Sequence, residues 1–216
     1  MSAPQIIQDL VARFEANTKT YTANRYNETQ LRREFLDPFF EALGWDVANR
    51  AGYSEAYKDV IHEDALAVEG HSRAPDYAFR VGGRRVFFVE AKKPAVNLNT
   101  GLAPAFQLRR YAWTARLPLS ILTDFEEFAI YDCRIKPAPT DKPTTARLLR
   151  LTYPEYLTRW DELFDRFSKE AVLQGRFDAY AEVSRGKKGA ADVDDDFLAT
   201  IEGWRKALAL NLALRN

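Results

Sequence analysis

The stretch Asp76-Tyr77-Ala78-Phe79-Arg80-Val81-Gly82-Gly83-Arg84-Arg85-Val86-Phe87-Phe88-Val89-Glu90-Ala91-Lys92 decides how this chain folds. Two β-rich runs, Tyr77 to Val81 and Arg84 to Lys92, flank a Gly-Gly pair, the residue type that accepts the left-handed backbone of a tight hairpin turn. Side chains alternate along a strand, so Glu90 and Lys92 share one face while Ala91 turns to the other. A carboxylate and an ammonium closing the apolar run Val86-Phe87-Phe88-Val89 are costly to bury unless they pair or bind something. The plain alternative is a strand end that reaches solvent with a Glu–Lys ion pair.

Register makes this testable. A two-residue Gly82-Gly83 loop pairs Val81 with Arg84, and regular pairing then sets Asp76 opposite Val89, on the face away from Glu90. Asp76 and Glu90 can share a face if the loop has three residues, Gly82-Gly83-Arg84, or if a bulge or sharp twist intervenes near Asp76. With that correction the carboxylates of Asp76 and Glu90 and the carbonyl of Ala91 offer oxygen ligands suited to Mg2+, and Lys92 stands where it could hold or activate a water. Mn2+ would be accepted by the same ligands.

The rest of the composition narrows the chemistry. The chain has 216 residues, 46% apolar and 13% aromatic, enough for a sizeable core and an appendage. One cysteine, Cys133, excludes an internal disulfide and a cysteine-rich zinc site, and two histidines, His62 and His71, leave little for imidazole chemistry. No apolar run approaches a bilayer span and Met1 to Gln5 does not start like a signal peptide, so a cytoplasmic protein without membrane contact is expected. Basic and acidic residues balance at 31 each, which argues against tight nucleic-acid binding by net charge alone. Arg84, Arg85, Lys92, Lys93, Arg109, Arg110 and Arg116 nevertheless cluster in the central third.

Periodicity predicts a helix from Pro4 to Asn17 and a second helix capped at Asn27 and ended by Gly44. Trp45-Asp46-Val47 is expected to begin an extended segment, and Ala51 to His71 to be irregular. Pro94 to Gly101 reads as a loop, Ala103 to Ala115 as a helix, and Leu119 to Thr123 and Phe128 to Tyr131 as further strands. Lys136 to Pro143 marks the edge of this core, giving an α/β or α+β fold with a central mixed sheet flanked by helices. Residues 1–150 are assigned to the catalytic domain and 151–216 to a helical extension: Tyr153 to Tyr180 helical, Ser184 to Ala191 a linker, Asp196 to Leu214 an amphipathic helix. The acidic run Asp192 to Asp196 is explained by helix capping and the helix dipole rather than by a metal.

The ordered elements and the Asp76…Glu90-x-Lys92 pattern together resemble the PD-(D/E)xK nuclease superfamily. Gln107-Leu108-Arg109-Arg110-Tyr111 looks like the Q-xxx-Y motif of its restriction-endonuclease branch, with both side chains on one helical face. Asn27 to Trp45 is similar to the leading helix in the nuclease domain of type I restriction subunits and single-chain type IIG restriction–modification enzymes. The resemblance covers about Ile6 to Asp132, and more loosely a helical connector from Phe167 onward. It implies a restriction-endonuclease-like core with Asp76, Glu90 and Lys92 catalytic. The metal ligands would be Glu28, Asp76, Glu90 and the Ala91 carbonyl, with Gln107 and Tyr111 near the active site or the DNA backbone. The implied partners are double-stranded DNA, a methyltransferase or target-recognition domain or subunit, and a second nuclease domain for cutting both strands. No Asn-Pro-Pro-Tyr-like motif, Gly-rich methyl-donor loop or phosphate loop is present, so this chain is not expected to methylate or translocate. The competing expectation is a catalytically silent nucleic-acid-binding or assembly module of the same fold.

Overall fold

The computed structural model describes residues 2–23, 25–68 and 71–184. The helix expected at Asp196–Leu214 and all but the first residue of the expected linker lie outside these residues. One compact unit runs from Met1 to Ala181. The division expected between residues 150 and 151 therefore falls inside this unit.

The chain begins with α1 (Gln5–Tyr21), whose Ile7, Leu10, Val11 and Phe14 are buried while Ile6 is exposed. The next helix is built in three pieces: α2 (Glu28–Leu31), a π-helical turn (Arg32–Leu36) and α3 (Asp37–Ala42). Asn27 starts it with a reciprocal cap, its side chain accepting from the Gln30 N–H at 2.9 Å while Gln30 Oε1 accepts from the Asn27 N–H at 3.1 Å. The π turn precedes Pro38. Proline has no N–H to return to the Glu34 carbonyl four residues back, and Arg13 of α1 donates to that carbonyl instead. The Asp37 N–H reaches the Arg32 carbonyl, five residues back, which defines the widened turn.

Trp45 and Asp46 belong to no regular element and Val47 lies in a turn, so no strand begins here. The Trp45 indole donates to the Phe167 carbonyl at 2.8 Å, and Asp46 accepts from the N–H groups of Arg50 and Ala51 at 2.7 and 2.8 Å. The segment expected to be irregular contains β1 (Val60–His62) and β2 (Leu66–Val68), and β3 (His71–Arg73) begins at its end. These strands have three residues each, too short to show a period in sequence.

A six-stranded mixed sheet follows the order β1-β4-β5-β6-β7-β8, with β4 (Tyr77–Val81), β5 (Arg84–Ala91), β6 (Leu119–Thr123), β7 (Glu127–Asp132) and β8 (Arg147–Thr152). β5 and β6 run parallel, joined by α4 (Leu102–Thr114); the other neighbours are antiparallel. β2 and β3 form a separate hairpin. The sheet does not end at Lys136–Pro143: β8 returns beyond it, and Arg150 pairs with Glu127 across the last two strands.

One sheet face, with Phe87, Val89, Ala91, Ile121 and Phe128, is covered by α1, α3 and the late helices α5 (Glu155–Thr158), α6 (Trp160–Phe167), α7 (Lys169–Leu173) and α8 (Arg176–Val183). The late region is helical as expected but broken, with Ser168 in extended backbone capping α7 through the Ala171 N–H at 3.0 Å. The other face, with Ala78, Phe88, Leu122 and Ala129, meets α4 through Leu108, Tyr111 and Ala112 and the β2–β3 hairpin through Leu66 and Val68. Phe87 and Phe88, both fully buried, therefore anchor opposite layers, each contributing about 2 kcal/mol of burial.

The hairpin resolves the register question. Gly82 and Gly83 take φ values of +57° and +79°, and Val81 faces Arg84 across the two-residue loop. Arg80 then pairs with Arg85, but Phe79 pairs with Phe87, so Val86 is an extra residue in β5. This bulge, which lies beyond Phe79 rather than beside Asp76, resets the pairing to Tyr77 with Val89 and sets Asp76 toward Glu90's position.

A Cβ at Gly83 would lie 2.9 Å from the Ala56 carbonyl oxygen, whereas one at Gly82 would meet nothing within 4 Å. Both substitutions by alanine impose a left-handed backbone, at about 1–2 kcal/mol. Gly83→Ala is expected to exceed Gly82→Ala in destabilisation by about 1 kcal/mol or more in urea unfolding, and equal costs would refute the close approach.

Candidate active site

The site lies where the central parallel strands end. Glu90 is 2% exposed at the end of β5, on the face covered by α4. Lys92 follows just past the strand, its N–H held by the Thr123 carbonyl at 3.0 Å, and its Nζ donates to Glu90 Oε1 at 2.6 Å. Gln107, from the second turn of α4, donates through Nε2 to the same oxygen at 2.6 Å. Both strong donors are thus on Oε1. Glu90 Oε2 is buried without a hydrogen-bond partner among the described residues, an uncompensated acceptor in a site where one is expensive.

Asp76 stands immediately before β4. Its Oδ2 accepts from the Ala91 N–H at 2.8 Å, which ties the two strand ends together, and its Oδ1 accepts from Arg32 Nη1 at 3.2 Å. Arg32 belongs to the π turn, and its guanidinium lies over the Tyr77 ring at 5.0 Å. Its Nη2 is 3.1 Å from His62 Nδ1. His62 Nε2 faces the Val47 carbonyl at 3.2 Å; a carbonyl only accepts, so the imidazole proton belongs on Nε2 and Nδ1 receives the arginine. Arg32 and His62 are site residues that sequence reasoning missed. The available signal was the i, i+4 spacing of Glu28 and Arg32 on one helix.

The fold thus brings Asp76, Glu90, Ala91, Lys92 and Gln107 together. Glu28, half-buried at the start of α2, contributes charge to the surroundings of Glu90 and Lys92 without a hydrogen bond to either. Tyr111 lies one turn after Gln107 and is buried in the core layer beneath α4. Among the described residues, no group of three or more His, Cys, Asp or Glu side chains has the arrangement to hold a metal. Arg32, Lys92 and Gln107 instead engage the carboxylates that the resemblance assigns to an ion. Two carboxylates with a free buried oxygen between cationic neighbours nevertheless have the donor chemistry of a hard divalent cation.

Electrostatics agree with that donor set. Burial pushes the Glu90 carboxyl up from 4.5 to about 7; Lys92 opposes the rise, and the charges of Asp76 and Glu28 add to it. Burial works against the Lys92 ammonium, but Glu90, Glu28 and Asp76 together raise its pKa above the usual lysine value. Lys92 therefore remains a proton donor near neutral pH.

No protein-family model matches the chain. The chain is, however, a homologue of a restriction enzyme. Over 211 residues, 97% of its length, it is 38% identical to the type II restriction enzyme and methyltransferase RM.Eco57I of Escherichia coli. The match takes in 21% of that protein, so the chain spans about a fifth of the relative's length. Among solved structures, the DrdV–DNA complex has a TM-score of 0.40 at 16% identity, covering 78% of this chain and 15% of that one. The type IIG restriction endonuclease BpuSI has a TM-score of 0.39 at 15% identity, covering 66% of this chain and 17% of that one. Among the described residues no helix is long and apolar enough to cross a membrane.

Because folded Glu90 holds its proton up to about pH 7, against 4.5 for the free group, its contribution to stability is complete below about pH 4.5 and is lost as pH rises through 7. Glu90→Gln, neutral at every pH, is expected to gain on the wild type in thermal stability from pH 5 to pH 8. The gain should be on the order of 2–3 kcal/mol. A constant difference over that range would show that Glu90 ionises normally.

Proposed function

We propose that this chain is the nuclease module of a restriction–modification enzyme and hydrolyses phosphodiester bonds of double-stranded DNA with Mg2+, which Mn2+ can replace. Support comes first from Glu90: a carboxylate buried at the end of an apolar strand, with one oxygen unpartnered and Lys92 Nζ 2.6 Å from the other. A buried acceptor without a partner is costly, and a bound cation would offset that cost. The homology to part of a restriction enzyme and methyltransferase supports the same reading.

In this reading Asp76, Glu90 and the Ala91 carbonyl hold the ion, with Glu28 acting directly or through water. Once bound, the ion would withdraw charge from the phosphoryl oxygens and favour attack by water. Lys92 enters as an ammonium, so it orients the attacking water or donates to a phosphoryl oxygen, and solvent takes up the water's proton. One phosphorus–oxygen ester bond breaks as the bond to water forms. Gln107 fixes the Glu90 rotamer through Oε1, leaving Oε2 for the ion, and Tyr111 supports the same helix face. The module extends to Ala181, the limit of the compact unit, rather than to residue 150. Its partners are a methyltransferase and target-recognition part, and a second nuclease domain when both strands are cut.

Supercoiled-plasmid nicking at low salt is expected with Mg2+ or Mn2+, to be abolished by EDTA, and to fall at least about 100-fold in Lys92→Ala. Absence of cleavage by the wild type, even with the methyltransferase and recognition part supplied, would favour the silent binding module. Metal affinity gives a second test. A proton on Glu90 competes with the ion, so the apparent Mg2+ affinity by calorimetry should fall about tenfold per pH unit below 7 and level off above it. Glu90→Gln should bind weakly at every pH.

A further inference from the structure

Arg32 Nη1 donates to Asp76 Oδ1, the oxygen of that carboxylate not already held by the Ala91 N–H. Resting on the nuclease reading above, we propose that Arg32 exchanges partners in the working site. It holds Asp76 Oδ1 in the ion-free protein; once that oxygen serves Mg2+, it turns the same N–H groups to a phosphate oxygen of the DNA. Ion and DNA then each strengthen the binding of the other.

Asp76 does not need Arg32 for its orientation. Its Oδ2 accepts from the Ala91 N–H at 2.8 Å, which fixes the carboxylate, whereas Arg32 Nη1 meets Oδ1 at a longer 3.2 Å. Glu90 is treated in the same way, with Lys92 and Gln107 both on Oε1 and Oε2 left over. The difference is that a cation of the chain covers the spare oxygen of Asp76. A guanidinium and a divalent ion that seek one oxygen repel each other, so Arg32 competes with the ion there.

The guanidinium keeps its place when Oδ1 is given up. Nη2 reaches the Asp76 carbonyl at 3.4 Å and His62 Nδ1 at 3.1 Å, and the guanidinium carbon lies 5.0 Å from the centre of the Tyr77 ring. Nη1 is therefore the end that is released, with Nη2 and the ring as its pivot. Glu63, 3.6 Å from Nη1, is 74% exposed and too well solvated to hold it. Phosphate oxygens suit the fork of arginine, and the pair is open to them: the side chains of Arg32 and Asp76 are 16% and 17% exposed, against 3% for Glu90.

Two measurements on the full chain test this, neither of them cleavage. In calorimetric titration with MgCl2 without DNA, Arg32→Ala is expected to bind about tenfold more tightly than the wild type. Arg32→Lys, which keeps the charge without the fork, should fall between them and carries the same prediction if the alanine variant does not fold. A gain in affinity cannot come from misfolding or from lost support for Asp76, since both would weaken binding. Arg33→Ala, in the same turn and exposed, controls for the loss of one charge and should match the wild type. The second measurement is anisotropy of a fluorescent duplex of mixed sequence, in a Lys92→Ala background chosen to prevent cleavage. The tightening on replacing EDTA by Mg2+ at fixed ionic strength is expected to be about tenfold smaller in Arg32→Ala than with Arg32 in place. Mg2+ affinity in Arg32→Ala no higher than in the wild type, an equal gain in Arg33→Ala, an equal Mg2+-induced tightening with and without Arg32, or no duplex binding in Mg2+ would overturn the proposal. Plasmid nicking by the wild type beside unchanged Mg2+ affinity in Arg32→Ala would remove the exchange and leave the nuclease. No uptake of Mg2+ by either protein would remove the metal-dependent nuclease itself.

Discussion

A strand that is apolar on both faces must be covered twice, and the rest of this structure follows from doing so for β5. Phe87 and Val89 require one helical layer, supplied by α1, α3 and the late helices; Phe88 requires another, supplied by α4. The parallel step from β5 to β6 puts α4 between them in sequence, so the covering helix also delivers Gln107 to the strand's end. The late helices are then structural necessities. Trp160, Phe167 and Phe177 close the same core as Phe14 and Phe39, so the compact unit continues past the last strand.

Within this frame the cost of burying Glu90 is met unequally at its two oxygens. Lys92 and Gln107 satisfy one, and the other has no partner among the described residues. The bulge at Val86 makes the arrangement geometrically possible, because regular pairing from a two-residue loop would have put Asp76 on the wrong face. A similar one-residue adjustment occurs in the helix opposite, where the π turn accommodates Pro38 and carries Arg32 to Asp76.

What could be read from sequence was what local chemistry specifies strongly. The Gly-Gly turn, the fully buried β6 and the amphipathic α4 fall within a residue or two of expectation. The need for a bulge also followed from counting side chains along the hairpin. β1 was hidden because it is a three-residue edge strand whose partner lies across the β2–β3 hairpin. β8 was hidden because it is an edge strand whose buried positions are few, giving weak alternation behind a proline-rich loop. Arg32 escaped notice for a different reason: nothing in a helical charge pattern tells which distant carboxylate an arginine will meet. The resemblance set Gln107 near the active site or the DNA backbone, and its side chain donates to Glu90; Glu28, expected to reach an ion directly or through water, acts on Glu90 through its charge.

The arginine on Asp76 has a consequence for how this protein is made. Arg32 and Lys92 serve as built-in counter-ions, so the repulsion among Asp76, Glu90 and Glu28 is offset by the chain itself. Small metalloproteins that draw their folding energy from an ion cannot assemble before the ion arrives. Here the counter-charge is part of the chain itself, so the balance of the acid cluster does not depend on an ion.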